Sequence, residues 1–201
     1  PPDAVVVDHS TTSPEGAGRR VASMAEAGIG FLHAPVFMSP ASCLEGEGVM
    51  VVCGPKSAFE EVEAQLEAMT GRLLYLGEDG HRAAAMKLVG NGMILSVIGG
   101  LADVMTLADE QGLGADEVMA LFDHFDLRRS MAGRGGRMAQ RDWSVSWTLR
   151  MARKDLGLMR EAIGDRPLAV LDGLQRRMDA MIDEGEGDHD LAILARDAHG
   201  E

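Results

Sequence analysis

The sequence predicts an α/β layer followed by an all-helical remainder, an α/β plus all-α chain. Three observations carry this. Up to about Gly77, four short aliphatic runs alternate with stretches of helical period; from about Gly80 onward every periodic segment is helical. Between them lies GHRAAAMKLVGNGMILSVIGGLADVMTLADE, residues 80–110, a run of good helix formers without proline. The expected domains are 1–79 for the α/β part and 80–201 for the helical part, which the long helix opens.

Ala4 to Val7 is the first strand, β-branched as buried parallel strands are. Asp8-His9-Ser10-Thr11-Thr12-Ser13-Pro14 then reads as a strand-to-helix turn, with Pro14 at the first helical position. Ligands of open α/β sheets bind at the carboxyl ends of strands, and small hydroxyl residues there serve equally as N-caps. A helix from about Glu15 to Ala27 closes at Gly28 and Gly30. Phe31-Leu32-His33 is a second strand, and Pro35 and Pro40 are expected to keep the next segment out of any ladder. Val49 to Cys53 is a third strand, an apolar run that suggests burial on both faces. Lys56 to Met69 is an amphipathic helix with Phe59, Val62, Leu66 and Met69 on one face, and Leu73 to Leu76 is the fourth strand. This order looks like the second half of a nucleotide-binding sheet.

From Arg82 to Glu110 the helix would be about 40 Å long, enough to run from one packed unit into another. Its middle is apolar on every side, which predicts burial in a protein core. The uncharged run Leu88 to Ala102 is short of the ~20 residues that cross a bilayer. Gly90, Gly92, Gly99 and Gly100 suggest close approach of another backbone. Lys87 and Asn91, four residues apart, share a face. A lysine there either snorkels or stands beside a ligand, and desolvation would bring its pKa toward the range of a working proton donor. Beyond it, helices are expected at Ala115–Phe125, at Arg128–Ala139 (weakened by Gly133, Gly135 and Gly136), at Ser144–Ile163 carrying Trp147, at Pro167–Glu184 and at Asp188–His199.

Composition narrows the function. The 201 residues are 46% hydrophobic and 25% charged, with a formal net charge of -13. That charge argues against nucleic acid and anionic membranes as partners. The basic cluster of Arg128, Arg129, Arg134, Arg137 and Arg141 is read as a solvated helix face. Cys43 and Cys53 make neither a disulfide framework nor a metal site, and they fit a reducing cytoplasm. No signal peptide or metal-ligand spacing is apparent. With 4% aromatics and 14 methionines, the core must be largely aliphatic and thioether. The opening Pro1-Pro2-Asp3, with no initiator methionine before a strand, reads as the start of a fragment.

Several stretches together resemble one family. Asp8-x-Ser10-Thr11-x-x-Pro14, Lys87-x-x-x-Asn91 and Trp147 through Lys154-Asp155-Leu156 stand in the order and spacing of the β-hydroxyacid dehydrogenases. The branch is that of the 3-hydroxyisobutyrate and tartronate semialdehyde dehydrogenases and the glyoxylate/succinic semialdehyde reductases. The resemblance implies the C-terminal half of a Rossmann-like dinucleotide-binding domain, then a long inter-domain helix and an all-helical domain like the 6-phosphogluconate dehydrogenase C-terminal domain. It implies NADP or NAD as cofactor and a hydroxy acid, or its aldehyde or keto form, as substrate. It makes Lys87 the catalytic acid/base with Asn91 beside it, and puts Thr11 and Lys154 at the cofactor. Ser10, Phe37, Met38, Trp147 and Asp155 would border the substrate, and the helical domain would form a homodimer or higher homo-oligomer.

Departures bear on the substrate. His33-Ala34-Pro35-Val36-Phe37-Met38-Ser39 stands where the family has Asp-Ala-Pro-Val-Ser-Gly-Gly, so a larger or less polar substrate is expected. His81 to Met86 replaces the usual Gly-x-Gly approach to the lysine, and Trp147 in place of phenylalanine would narrow the pocket. The family's Gly-x-Gly-x-x-Gly phosphate loop is not in the sequence and would precede Pro1, so the chain alone is expected to bind dinucleotide weakly. Two alternatives remain open: an imine reductase-like NADPH enzyme, and a non-catalytic protein pairing through its helices.

Overall fold

A computed structural model describes residues 4–198. Pro1-Pro2-Asp3 and His199 lie outside the described residues. By internal packing the chain divides into two compact units, Pro1–Ile94 and Leu95–Glu201.

In the first unit, β1 (Val5–Asp8) pairs in parallel with β2 (Gly30–His33) across α1 (Pro14–Glu26). Ser13 caps α1, its hydroxyl accepting from the Gly16 amide, and Pro14 takes the first turn as its fixed φ favours. The segment after β2 is not an excluded loop: β3 (Val36–Phe37) pairs antiparallel with β4 (Val49–Val52). His33 exchanges both backbone bonds with Cys53, and the Pro35 carbonyl accepts from the Val51 amide, so β2 and β3 run along β4 in one register. Pro35 lacks a donor but keeps its acceptor, and that half-bond carries the ladder past it. Pro40 is likewise at home in α2 (Pro40–Glu45), which Ser39 caps. Gly48 makes the turn into β4, with φ +98° and no room for a Cβ, which would stand 2.6 Å from the Phe37 carbonyl oxygen. β5 (Arg72–Tyr75) joins β4 in parallel across α3 (Lys56–Glu67). Leu32, Ala34, Met50, Val52, Ala58, Phe59 and Leu66 form the core, and the Phe59 and Tyr75 rings stack 4.4 Å apart.

The long helix is α4 (Arg82–Glu110), and the unit boundary falls within it. Its middle is not a core. Val89, Leu95 and Ile98 are 69%, 70% and 58% exposed. Periodicity cannot tell an apolar helix buried by its own chain from one left bare. By length and composition alone α4 also qualifies as a membrane-spanning helix, which reading the uncharged run on its own had set aside.

The second unit holds α5 (Ala115–His124), α6 (Leu127–Gln140), α7 (Leu149–Ile163) and α8 (Leu171–Asp183), closed by 3-10 turns at Glu186–Asp188 and Leu191–Ala198. The glycines do not break α6. The helix expected from Ser144 begins instead at Leu149, with the Thr148 hydroxyl accepting from Met151, so Trp147 lies on the loop before it. The buried Asp103 carboxylate of α4 accepts from the amides of Ala169, Val170 and Leu171, capping α8.

Candidate functional site

The first unit gathers its polar groups at the carboxyl end of β1. Asp8 accepts from the Ser10 amide at 2.9 Å and from Arg20 at 2.6 Å. Burial pushes its carboxyl up, but the Ser10 hydrogen bonds and Arg20 outweigh this and hold it below the usual range. The His33 ring is fully buried, and neither nitrogen has a hydrogen-bond partner; Nδ1 stands 3.5 Å from Asp8 Oδ2. Burial depresses its pKa more than Asp8 raises it, so the ring is neutral at pH 7. His9 Nδ1 lies 2.7 Å from the Ala34 carbonyl oxygen. Ser10 and Thr11 are exposed at this strand end, and the Ser10 side chain bonds Asp8.

Lys87 projects from the first turns of α4 toward β3. Its Nζ donates to the Val36 carbonyl at 2.7 Å and stands 4.3 Å from the centre of the Phe37 ring. The side chain is half-buried, and desolvation lowers its pKa from the ordinary lysine value. The amine therefore does not snorkel away from the protein. It also does not use Asn91, which is half-buried one turn on; the bond goes to β3. Phe37 lies against α4 where Gly90 leaves space, since a Cβ there would come within 2.4 Å of the ring.

Successive strand residues face opposite sides of a sheet. Phe37 accordingly packs with Val51, Cys53 and Ala83, while Val36 and Met38 face the main core. Met38 lines a cavity of about 390 Å³ with His9, Val36, Cys43, Met50 and Met69. Of the two side chains that replace the family's small residues, only Phe37 reaches Lys87.

In the second unit Trp147 is held by Asp190, a residue the sequence reading missed. Asp190 is fully buried and accepts from the Ser146 amide and hydroxyl and from the amides of Trp147 and Ala192. Arg134 pairs with it at 2.9 Å and lies 5.3 Å from the centre of the Trp147 ring. Burial opposes ionisation of Asp190, yet these donors keep its carboxyl far below the usual range. Its only sequence signal is an acidic residue just ahead of the apolar run Leu191–Leu194. Arg134 and Arg137 both pair with it, so the basic cluster is partly structural rather than a solvated face. Lys154 and Asp155, on α7, pair with each other at 2.9 Å, with Lys154 largely exposed. No group of three or more histidine, cysteine or acidic residues suited to a metal ion occurs among the described residues.

Comparison with known proteins bears on the family and the fold. Residues 1–77 match the NAD binding domain of 6-phosphogluconate dehydrogenase. The chain is 28% identical over 160 residues to glyoxylate/succinic semialdehyde reductase 1 of Arabidopsis thaliana, covering 79% of this chain and 55% of that protein. It is 30% identical over 174 residues to the NAD-dependent L-serine dehydrogenase of Pseudomonas aeruginosa, covering 80% and 56%. To the mitochondrial 3-hydroxyisobutyrate dehydrogenase of Drosophila melanogaster it is 25% identical over 203 residues, covering 96% and 62%. The chain thus spans little more than half the length of these relatives. Among solved structures, an imine reductase from Myxococcus stipitatus in complex with NADP+ has a TM-score of 0.86 at 18% identity, over 97% of this chain and 70% of that one. A reductive aminase from Aspergillus terreus with NADPH and ethyl levulinate has a TM-score of 0.82 at 20% identity, over 99% and 72%. At such identities these two speak for the fold alone.

Proposed function

From the premise that residues 1–77 belong to the NAD-binding domain family of 6-phosphogluconate dehydrogenase, in a chain homologous to semialdehyde reductases and 3-hydroxyisobutyrate dehydrogenases, we propose an NAD(P)-dependent oxidoreductase with Lys87 as its proton donor and acceptor. The observation that carries this is the Lys87 amine. It is partly desolvated and aimed by the Val36 carbonyl, with N–H donors left over for a substrate atom. A reduced nicotinamide, when bound, would supply the hydride. Lys87 gives a proton to the substrate oxygen during reduction and takes it back on oxidation. The hydroxyls of the exposed Ser10 and Thr11, at a strand's carboxyl end, suit a carboxamide or a substrate oxygen and would hold the nicotinamide end of NAD or NADP. Asn91 steadies the substrate oxygen rather than the amine. The family resemblance assigns Lys154 to the cofactor and Trp147 and Asp155 to the substrate; within the second unit Asp190 fixes the loop that carries Trp147.

A second reading, reduction of an imine, is favoured by Phe37, whose ring offers no hydrogen bond to a substrate acid group. The two share the hydride step and differ in the atom that takes the proton. We also read the bare apolar faces of α4 as a surface for a second copy of the chain, giving a homodimer or higher oligomer. The uncharged run of α4 rises only about 22 Å, less than a bilayer's ~30 Å core. The free thiols Cys43 and Cys53 suit a reducing cytoplasm.

The test uses the intact protein. Saturable binding of NADPH or NADH and turnover with a semialdehyde or an imine are expected, with Lys87→Met lowering turnover by roughly 100-fold or more. A protein that pairs but binds neither dinucleotide is instead a helical dimerisation module.

A further inference from the structure

The surroundings of Lys87 carry information about the substrate's charge. Its ammonium meets two groups: the Val36 carbonyl oxygen at 2.7 Å and the face of Phe37 at 4.3 Å. Both are electron-rich, a lone-pair acceptor and the negative face of a ring quadrupole. The segment after Phe37 supplies no side-chain donor. Met38 turns to the opposite face, the Ser39 hydroxyl is engaged in capping α2 and pairing with Ser42, and Pro40 has no N–H. A carboxylate placed beside the amine would find one cation already facing two electron-rich groups, and no side-chain donor from the segment after Phe37 to receive its second oxygen.

The ring is held in this position by construction. A Cβ at residue 90 would stand 2.4 Å from Phe37 Cε1 and 2.5 Å from Cζ, so the ring and Gly90 are complementary. Val51 and Cys53 pack against it from the sheet and Ala83 from α4.

We propose that Phe37, seated on Gly90, is a specificity-determining residue that fits the Lys87 site to an uncharged carbonyl or imine with apolar flanks and turns away substrates bearing a carboxylate next to the reacting carbon. This rests on the oxidoreductase reading above. It deepens that reading by naming the substrate class, and it sets this chain apart from relatives named for acids.

The test compares a matched pair, a 2-keto ester and the corresponding 2-keto acid anion, in the intact protein with NADPH and NADH. The wild type is expected to favour the ester in kcat/KM by tenfold or more. Phe37→Ser, which removes the ring and adds a donor, should cut that ratio at least tenfold, chiefly through KM for the acid. Phe37→Leu, still apolar, should keep the preference. A wild type that prefers the acid, or a ratio unmoved by Phe37→Ser, overturns the proposal. A second readout needs no turnover: butyrate is titrated against the Lys87 side-chain resonance. The resonance should stay in place in the wild type and move in Phe37→Ser; movement in the wild type overturns the proposal even if the protein reduces nothing. Loss of turnover on both substrates with the butyrate result as expected sinks the oxidoreductase reading and leaves anion exclusion by Phe37 standing.

Discussion

Replacing Gly90 by alanine tests the contact on which the site rests. The new Cβ would lie 2.4 Å from Phe37 Cε1, whereas unstrained carbon contacts are about 3.5–4.0 Å. The ring or the helix must therefore give by roughly 1 Å, and overpacking of this kind costs about 1–3 kcal/mol. Against it stands the helical advantage of alanine over glycine, about 1 kcal/mol. The net expectation is a loss of up to about 2 kcal/mol in the first unit. Gly133 in α6 provides the control: nothing lies within 4 Å of a Cβ there, so Gly133→Ala should stabilise its helix. Native-state hydrogen exchange separates the units, because the Val51 amide bonded to Pro35 reports the β3–β4 ladder beside Phe37. Protection of Val51 should fall in Gly90→Ala and stay unchanged in Gly133→Ala. If Gly90→Ala raised protection throughout the first unit, the ring would not be seated on the glycine, and the argument about Phe37 would fail.

Other expectations follow from buried charge. Asp190→Ala should destabilise the second unit by roughly 3 kcal/mol or more, because it leaves Arg134 and several amides without their acceptor; denaturant unfolding followed by tryptophan fluorescence reads this at Trp143 and Trp147. His33 has a depressed pKa in the folded chain, so its contribution is fully present above the unfolded value and is lost as pH falls below about 6.5. Stability of the first unit should drop on acidification with a slope of up to about 1.4 kcal/mol per pH unit, and His33→Leu should flatten it. Cys43 is exposed while burial raises the Cys53 thiol pKa, so thiol reagents should label Cys43 in the native protein and Cys53 only after unfolding.

Much of this was legible in the sequence, for local reasons. Arg82 and Glu110 bound α4 as read, because glycine, proline and capping chemistry mark helix ends. Pro14 and Ser13 announced α1 in the same way. The β3 ladder and α2 were not legible, since proline statistics speak of a missing N–H, while Pro35 takes part through its carbonyl and Pro40 through its place in a first turn. Whether α4 is buried was not legible either; exposure depends on what packs against a helix. At the site, spacing put Lys87 and Asn91 on one face, but the partner of the amine is 51 residues away on β3. Phe37 and Met38 looked alike as bulky replacements for small residues. Strand alternation separates them, and that became readable only once β3 was known to be a strand. Asp190 drew no notice because all its donors but the Ala192 amide come from residues 134 to 147, far off in sequence.

Rapid mixing of the intact protein with reduced nicotinamide and substrate, following a single turnover in wild type and Lys87→Met, bears most directly on the claim that this amine moves the proton. A fall of about 100-fold or more with dinucleotide affinity unchanged is the predicted result. Equal single-turnover rates in the two proteins would contradict it.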